Sequence, residues 1–289
     1  MSANHGSKNP DAVNLAKAYE SNLRAYTIAM AEAGDGFVQR DQDAILTAFP
    51  YTHWINGVVS PCLSPFGTLE RVNEILAVFR RLGRGVWFTL GPSTEPADLA
   101  KTLKKRRLWN THNRPFMACN LTELVTGFPQ PPGVSVHPVE DYDIFYQHPH
   151  PLLKRITTPR TRHIFQTFKR LAQEQPRKHW MFIAERDDKP VGTAIIYFSQ
   201  DNAGIYDVEV LDEFQGQGIG TALLQRVCIC AQEQGAKLAV LAASEQGVGF
   251  YSRFGFEPVG RYPIYYYSIK KQKEDAARVR TPTTTSGAL

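Results

Sequence analysis

The sequence has few cysteines and no long apolar segment. Its four cysteines are scattered along 289 residues and none forms a CxxC pair, so we expect reduced thiols rather than a secreted disulfide framework. No apolar run approaches the roughly 20 residues of a membrane-spanning helix. The start, MSANHGSKNPD, lacks the apolar centre of a signal peptide. We therefore expect a cytoplasmic protein that does not bind a membrane.

A strong charge imbalance and a metal-ligand pattern are also missing. The 33 basic and 28 acidic residues give a formal charge of +5. This modest excess suits anionic ligands, but without a focused basic patch it does not indicate a nucleic-acid partner. His148 and His150 have no cysteine or acidic residue at ligand spacing, so we expect no metal site.

Apolar residues make up 43% and charged residues 21% of the chain, which is typical of a folded globular protein. Apolar periodicity predicts a helix over residues 11–34. Residues 36–65 give no clear pattern. A helix with Thr68 as its N-cap is predicted over 68–81, followed by a strand at 86–90, a basic helix over 96–107 and a strand at 116–121.

The proline-rich FPQPP segment, within residues 127–133, is the best predicted domain boundary. Strands are then predicted from 134 and at 179–185, 190–199, 205–211 and 238–242. Helices are predicted over 161–174, over 219–234 and in a short segment ending at 254, before a tyrosine-rich group of last strands. This α/β organisation divides into an N-terminal helix (1–35), an N-terminal domain (36–128), a C-terminal domain (129–270) and a disordered tail (271–289).

The most informative segment is QGQGIG at residues 215–220, between a predicted strand and a predicted helix. Closely spaced glycines allow several backbone N–H groups to point into one hollow, and the following helix adds the positive end of its dipole. Strand, loop and helix in this order predict a phosphate or pyrophosphate site. RRLGRG at 80–85 has the same formal spacing, but it follows a helix, so we interpret it as a helix C-terminus.

Two motifs resemble the GNAT superfamily of N-acetyltransferases. The Q-x-x-G-x-G pattern at 215–220 is similar to that superfamily's pyrophosphate loop, and GFYSRFGF at 249–256 is similar to its second signature. The resemblance covers the C-terminal half and implies a mixed-sheet acyl-CoA N-acyltransferase fold there. The run of elements over 69–121 repeats the run over 219–267, which predicts a degenerate GNAT-like N-terminal half. An unrelated α/β cap is the alternative.

The resemblance also implies roles for particular residues. Tyr251 would protonate the departing CoA thiolate, although a tyrosine packed under the sheet is the alternative. Ser244 stands where many members have asparagine, which weakens that detail of the match. The implied acetyl-CoA-binding residues are Val210 and Leu211 toward pantetheine, the loop residues Gln215, Gly216, Gln217, Gly218, Ile219, Gly220 and Thr221 toward the pyrophosphate, and Ser244 and Arg253.

Two carboxylates precede the loop. Asp207 and Glu209 stand at i and i+2, so they share one face if the strand is regular. An acceptor amine must lose a proton before it attacks a thioester, and a carboxylate can accept that proton. We favour Asp207 because it lies further from the loop. A solvated acidic edge or a salt bridge is an equally good explanation of each residue.

Taken with the resemblance, the sequence predicts transfer of acetyl from acetyl-CoA, as co-substrate, to an amine in a ternary complex. A small-molecule amine is favoured because the N-terminal half could enclose a pocket. The alternatives are a protein N-terminus or lysine as the acceptor, or a catalytically inactive acyl-CoA sensor or interaction protein. The oligomeric state, including a dimer, is left open.

Overall fold

The computed structural model describes residues 10–50, 56–142 and 158–269. The predicted disordered tail, His148 and His150 lie outside these residues. The described residues form one mixed sheet of eleven strands. In the strand that precedes the glycine loop, Ala203 and Ile205 pack into the hydrophobic core on one face of the sheet. The side chain of Asn22 contacts Gly204, between them, on the opposite face. This period of two means that both faces of the sheet are covered.

The N-terminal part begins with a long helix, α1 (Pro10–Ala33), as the periodicity predicts. Three short strands occupy the segment that gave no clear pattern: β1 (Phe37–Arg40), β2 (Ile45–Ala48) and β3 (Gly57–Val59). They are three or four residues long, too short for a recognisable alternation. The remaining elements of this part are α2 (Thr68–Arg81), β4 (Val86–Thr89), α3 (Leu99–Lys105) and β5 (Trp109–Asn120).

The C-terminal part agrees with its predicted elements within a few residues. Its elements are β6 (Val134–Pro138), α4 (Thr158–Gln173), β7 (His179–Arg186), β8 (Lys189–Ser199), β9 (Asn202–Val210), α5 (Ile219–Glu233), β10 (Leu238–Ala242), α6 (Val248–Ser252) and β11 (Glu257–Tyr267). The tyrosine-rich end is a single strand, not several.

Helix α2 tests two predictions about its ends. The N-cap is Gly67, with φ of 77°, so the prediction of Thr68 as the cap is wrong. The Thr68 hydroxyl instead donates to the Ser64 carbonyl at 2.8 Å. At the other end Gly83 has φ of 66°, and the N–H of Arg84 donates to the carbonyl of Phe79 at 2.9 Å. These bonds satisfy helix carbonyls, which confirms the interpretation of residues 80–85 as a C-terminus.

The two halves contribute strands to each other across the middle of the sheet. The strand order is β1-β2-β3-β4-β11-β5-β10-β9-β8-β7-β6. The last strand of the N-terminal half, β5, pairs with β10, and the last strand of the C-terminal half, β11, pairs with β4. The sequence β3-α2-β4-α3-β5 therefore has the same order of elements as β9-α5-β10-α6-β11. The division into two domains and the two-copy origin stay predictions, because the sheet is continuous through both halves.

A buried asparagine attaches α1 to the C-terminal half. The side-chain amide of Asn22 donates to the Tyr197 carbonyl and to the Ser199 hydroxyl, each at 3.0 Å. Its oxygen accepts a 2.6 Å bond from the Tyr206 hydroxyl. A Cβ on Gly204 would lie 1.9 Å from that oxygen, so only glycine fits below it. Asn22 thereby fixes α1 directly over β8 and β9.

Candidate functional site

A cavity lies where two neighbouring strands separate. β9 and β10 are parallel and pair only as far as Ile205 and Leu241, after which β9 continues to Val210. A cavity of about 1070 Å³ lies at this opening. The cavity is lined by residues of β9, β10 and the glycine loop, by the first residues of α5 and by α6. Parts of α1 and β5 complete its wall.

The glycine loop turns a row of backbone N–H groups outward at the start of α5. Gly216 and Gly218 have φ of 74° and 81°, in the left-handed region that favours glycine. The N–H of Ala222 donates to the Gly218 carbonyl at 3.0 Å. Before it, the N–H groups of residues 216–221 donate to no residue within the described ranges. Free donors combined with the positive end of a helix dipole make this an anion site.

The end of β9 is held from both sides. The N–H of Leu211 donates to the Val191 carbonyl at 2.9 Å, and its carbonyl accepts from Phe214 at 2.8 Å. Because neighbouring residues of an antiparallel strand point in opposite directions, the backbone groups of Val210 point away from β8 and toward the opening. The Gln215 side chain donates to the Val210 carbonyl at 3.2 Å. The Val210 N–H is therefore better placed than Leu211 to bind a ligand.

A β-bulge decides where the two carboxylates point. Thr193 of β8 lies opposite Glu209, whereas Ile195 lies opposite Tyr206, so β9 has an extra residue in this interval, and Asp207 has φ of 48°. The regular strand assumed for Asp207 and Glu209 is therefore wrong.

The bulge also reverses the alternation of side chains along β9. Tyr206 stacks on Tyr26 of α1 at 4.3 Å, whereas Val208 and Val210 both pack into the core beneath α5. Glu209, between these valines, is therefore turned to the α1 side. Asp207 and Glu209 both line the cavity.

Tyr251 lies on α6 and also lines the cavity. Its ring contacts Phe250 at 5.0 Å and Phe256 at 6.0 Å between centroids. Burial raises the pKa of Tyr251 to about 12, and the charges of Cys228 and Asp207 add to the increase. The phenol therefore keeps its proton at neutral pH and can donate it.

The structure brings most of the remaining predicted residues to the same cavity. Ser244 lines it and accepts a 3.0 Å bond from the Gly247 N–H. Arg253 lines it with its guanidinium 5.5 Å from the Phe250 ring centre. Two side chains are directed elsewhere. Ile219 is 1% exposed in the core, and Gln217 contacts Arg186 and donates to the Glu213 carbonyl.

Among residues 10–50, 56–142 and 158–269, no three His, Cys, Asp or Glu side chains are grouped so that they could hold a metal ion. Within those ranges no helix has both the length and the apolar character needed to cross a membrane.

The family model of the acetyltransferase (GNAT) domain matches residues 177–258. This segment contains β7 to β10, the glycine loop and Tyr251. Residues 177–258 are therefore similar to a GNAT acetyltransferase domain, and the rest of the chain lies outside this match.

Two curated relatives share this GNAT region. One is a Bacillus subtilis (strain 168) protein named as a candidate ribosomal protein bS18-alanine N-acetyltransferase, 29% identical over 96 residues. The other is GCN5-related N-acetyltransferase 2, chloroplastic, of Arabidopsis thaliana, 38% identical over 68 residues. The matches cover 32% and 23% of this chain, and 63% and 26% of those proteins. The chain thus spans less than two thirds of the length of either relative.

Solved structures extend the likeness to the N-terminal half. A GCN5-related N-acetyltransferase from Kribbella flavida superposes with a TM-score of 0.60 at 16% identity, over 85% of this chain and 95% of that one. A tandem GNAT protein from the clavulanic acid biosynthesis pathway superposes with a TM-score of 0.54 at 15% identity, over 86% and 95% of the two chains. At these identities the likeness establishes a GNAT fold.

The cavity also contains residues outside the GNAT match that the sequence did not point to. Tyr19 and Leu23 reach it from α1, and Arg114 reaches it from β5. The i, i+4 spacing of Tyr19 and Leu23 predicted an apolar helix face, but not what that face covers. Nothing in the sequence singles out Arg114, because its place in the cavity depends on the insertion of β5 between β10 and β11.

Proposed function

We propose that this protein is an acetyl-CoA-dependent N-acetyltransferase that acts on a small-molecule amine by direct transfer. One observation carries the proposal. The free N–H groups of residues 216–221 stand at the edge of a cavity that is also lined by a protonated Tyr251 and by the carboxylates of Asp207 and Glu209. An anion site, a proton donor and proton acceptors thus share a single space.

The loop residues would hold the pyrophosphate of acetyl-CoA, which supplies an acetyl group activated as a thioester. The Val210 N–H would bind the pantetheine arm, because it points toward the gap between β9 and β10. Ser244 and Arg253 would contact the remaining part of the ligand from the β10–α6 side. Arg253 is a cation at the cavity wall and suits a phosphate group.

Two proton transfers accompany the reaction. An amine with a pKa near 10.4 is neutral only about four times in ten thousand at pH 7, so Asp207 or Glu209 would accept its proton. The amine nitrogen then forms a bond to the acetyl carbon, and the bond from that carbon to sulfur breaks. Tyr251 would donate its phenolic proton to the leaving sulfur. No bond to the protein forms at any stage.

Helix α1 favours a small acceptor over a protein chain. Asn22 fixes this helix over β8 and β9, and Tyr19 and Leu23 then form one wall of the cavity. A folded protein surface would meet α1 before its amine reached Asp207. A flexible protein N-terminus is the remaining alternative, and the B. subtilis relative is named for such an acceptor.

The proposal is tested by calorimetric titration of acetyl-CoA into the full chain and into Gly216→Glu. Position 216 has φ of 74° with no atom within 4 Å of an added Cβ, so the variant adds a negative charge to the loop together with the backbone strain of a side chain at positive φ. Gly235→Glu is a matched control. It has φ of 80°, the same open surroundings and a place at the opposite end of α5.

We expect saturable binding to the unmodified chain and to Gly235→Glu, and at least tenfold weaker binding to Gly216→Glu. Absence of binding to the unmodified chain would refute the proposal. Binding that is equal in all three proteins would show that the loop is not the pyrophosphate site. Binding without acetylation of any amine would instead favour a non-catalytic acyl-CoA sensor.

A further inference from the structure

We propose that the acceptor carries an anionic group besides its amine, and that Arg114 binds this group. The inference rests on the proposed acetyltransferase function and deepens it by naming the class of acceptor. The anion is a carboxylate or a phosphate, both of which match the fork of a guanidinium. Arg114 would thus determine specificity without taking part in the chemical step.

Arg114 differs from Arg24 and Arg261 because no carboxylate of the described residues pairs with it. Arg24 pairs with Glu20 at 3.0 Å, and Arg261 pairs with both carboxylate oxygens of Glu245 at 2.6 and 2.8 Å. The side chain of Arg114 forms no hydrogen bond or ion pair with any residue of the three described ranges, and Arg114 lines the cavity. A cation left unpaired in a cavity wall suits an anionic ligand.

The position of Arg114 separates it from the pyrophosphate loop. Arg114 stands two residues before Phe116 on β5, so both side chains point to the same face of the sheet. The Phe116 ring stacks on Tyr19 of α1 at 5.7 Å, which identifies this as the α1 face. Helix α5 packs on the opposite face, against Ala203 and Ile205. Arg114 therefore lies on the side of α1, where an acceptor would enter.

Charges of both signs are present in this part of the cavity. Glu209 is turned to the α1 side by the bulge and lies on β9 near Asp207, whereas Arg114 lies on β5. Only β10 lies between β9 and β5, so their backbones are about 10 Å apart where the three strands pair, and further apart at the opening where β9 leaves β10. Arg114 and Glu209 line this opening from β5 and from β9. An amine at the carboxylates and an anion at Arg114 would orient an acceptor that carries both groups.

The test compares three pairs of acceptors that differ in one anionic group. The pairs are 4-aminobutyrate and butylamine, L-lysine and cadaverine, and phosphoethanolamine and ethanolamine. Release of the CoA thiol gives kcat and KM for the full chain and for Arg114→Gln and Arg114→Lys. Arg81→Gln is the control, because Arg81 is an exposed arginine of α2 outside the cavity. Calorimetry with acetyl-CoA and a melting curve accompany each variant.

We expect the anionic member of at least one pair to have a tenfold or higher kcat/KM than its neutral partner. The preferred pair then distinguishes carboxylate from phosphate. Arg114→Gln should remove this preference by raising KM about 10- to 100-fold, since hydrogen bonds to charged groups contribute about 1.5–3 kcal/mol. Arg114→Lys should restore part of it. The acetyl-CoA affinity and the melting temperature of both Arg114 variants should equal those of the unmodified chain. The Arg81→Gln variant should keep the preference for the anionic acceptor.

Three results would overturn the inference while leaving the proposed function intact. The first is equal use of anionic and neutral amines. The second is acetylation of the neutral amines without acetylation of any anionic amine. The third is an Arg114→Gln variant that binds acetyl-CoA more weakly, because Arg114 would then be part of the cofactor site. If the unmodified chain does not bind acetyl-CoA at all, the proposed function itself fails, and this inference fails with it.

Discussion

The proton donor is tested by removing one oxygen atom, in the variant Tyr251→Phe. The ring of Tyr251 packs against Phe250 and Phe256 through its faces and edges. Phenylalanine preserves these contacts, so we expect an intact fold and an unchanged affinity for acetyl-CoA. Only the proton for the departing sulfur is lost.

The magnitude follows from the protonation state. With a pKa of about 12, only about one Tyr251 in ten thousand is ionised at pH 8, so nearly every molecule can act as an acid. General acid catalysis typically contributes about 10²- to 10⁴-fold, which corresponds to about 3 to 5 kcal/mol of barrier. We expect Tyr251→Phe to decrease kcat by a factor in this range. We also expect no loss of rate from ionisation of Tyr251 up to about pH 10.

Steady-state release of the CoA thiol measures kcat, and calorimetry measures the Kd of acetyl-CoA. Tyr266→Phe is the control, because Tyr266 lies on β11 outside the cavity and its pKa is also raised by burial. If Tyr251→Phe has the same kcat as the unmodified protein, the tyrosine is a packing residue and the assignment as an acid is refuted. A parallel loss in Tyr266→Phe would point to a general effect of tyrosine removal.

Three further predictions concern the general base, a buried histidine and the attachment of α1. Asp207→Asn should lower kcat/KM more than Glu209→Gln at pH 7, and the defect should shrink toward pH 10 as the amine loses its own proton; equal pH profiles would argue against a base. Burial lowers the pKa of His179 to about 3, and neither ring nitrogen has a hydrogen-bond partner among the described residues. Between pH 6.5 and 3 the unfolded chain therefore binds more protons than the folded one, so the free energy of unfolding decreases as the pH is lowered, by about 2 kcal/mol at pH 5. Chemical denaturation of His179→Phe should show a free energy of unfolding that depends less on pH, and an unchanged pH dependence would contradict this account. Asn22→Ala should lower the free energy of unfolding by about 1–3 kcal/mol, because it leaves buried carbonyl and hydroxyl groups without partners; a thermal melt that matches the unmodified protein would disprove that role.

Local sequence patterns were sufficient to predict most helices and the glycine loop of the proposed anion site. The start of α5 was predictable because its glycines, strand and helix are adjacent in sequence, and the geometry of such a loop depends on neighbouring residues only. The end of α2 was predictable for the same reason, since Gly83 acts within one turn. The β-bulge at Asp207 was not, because it depends on pairing with β8, and one extra residue in that pairing changes the side on which later residues point.

By itself, the sequence determined the glycine loop before α5, the tyrosine of α6, the mixed α/β character and the resemblance to the GNAT superfamily. The tertiary structure decided which other residues line the cavity. Arg114 enters the cavity only because β5 pairs with β10, and Tyr19 enters only because Asn22 holds α1 over β9. These contacts join residues far apart in the chain, so no local periodicity or spacing encodes them. The proposed cofactor site consists mainly of residues adjacent in the sequence, whereas the proposed acceptor site depends on strand order and helix packing.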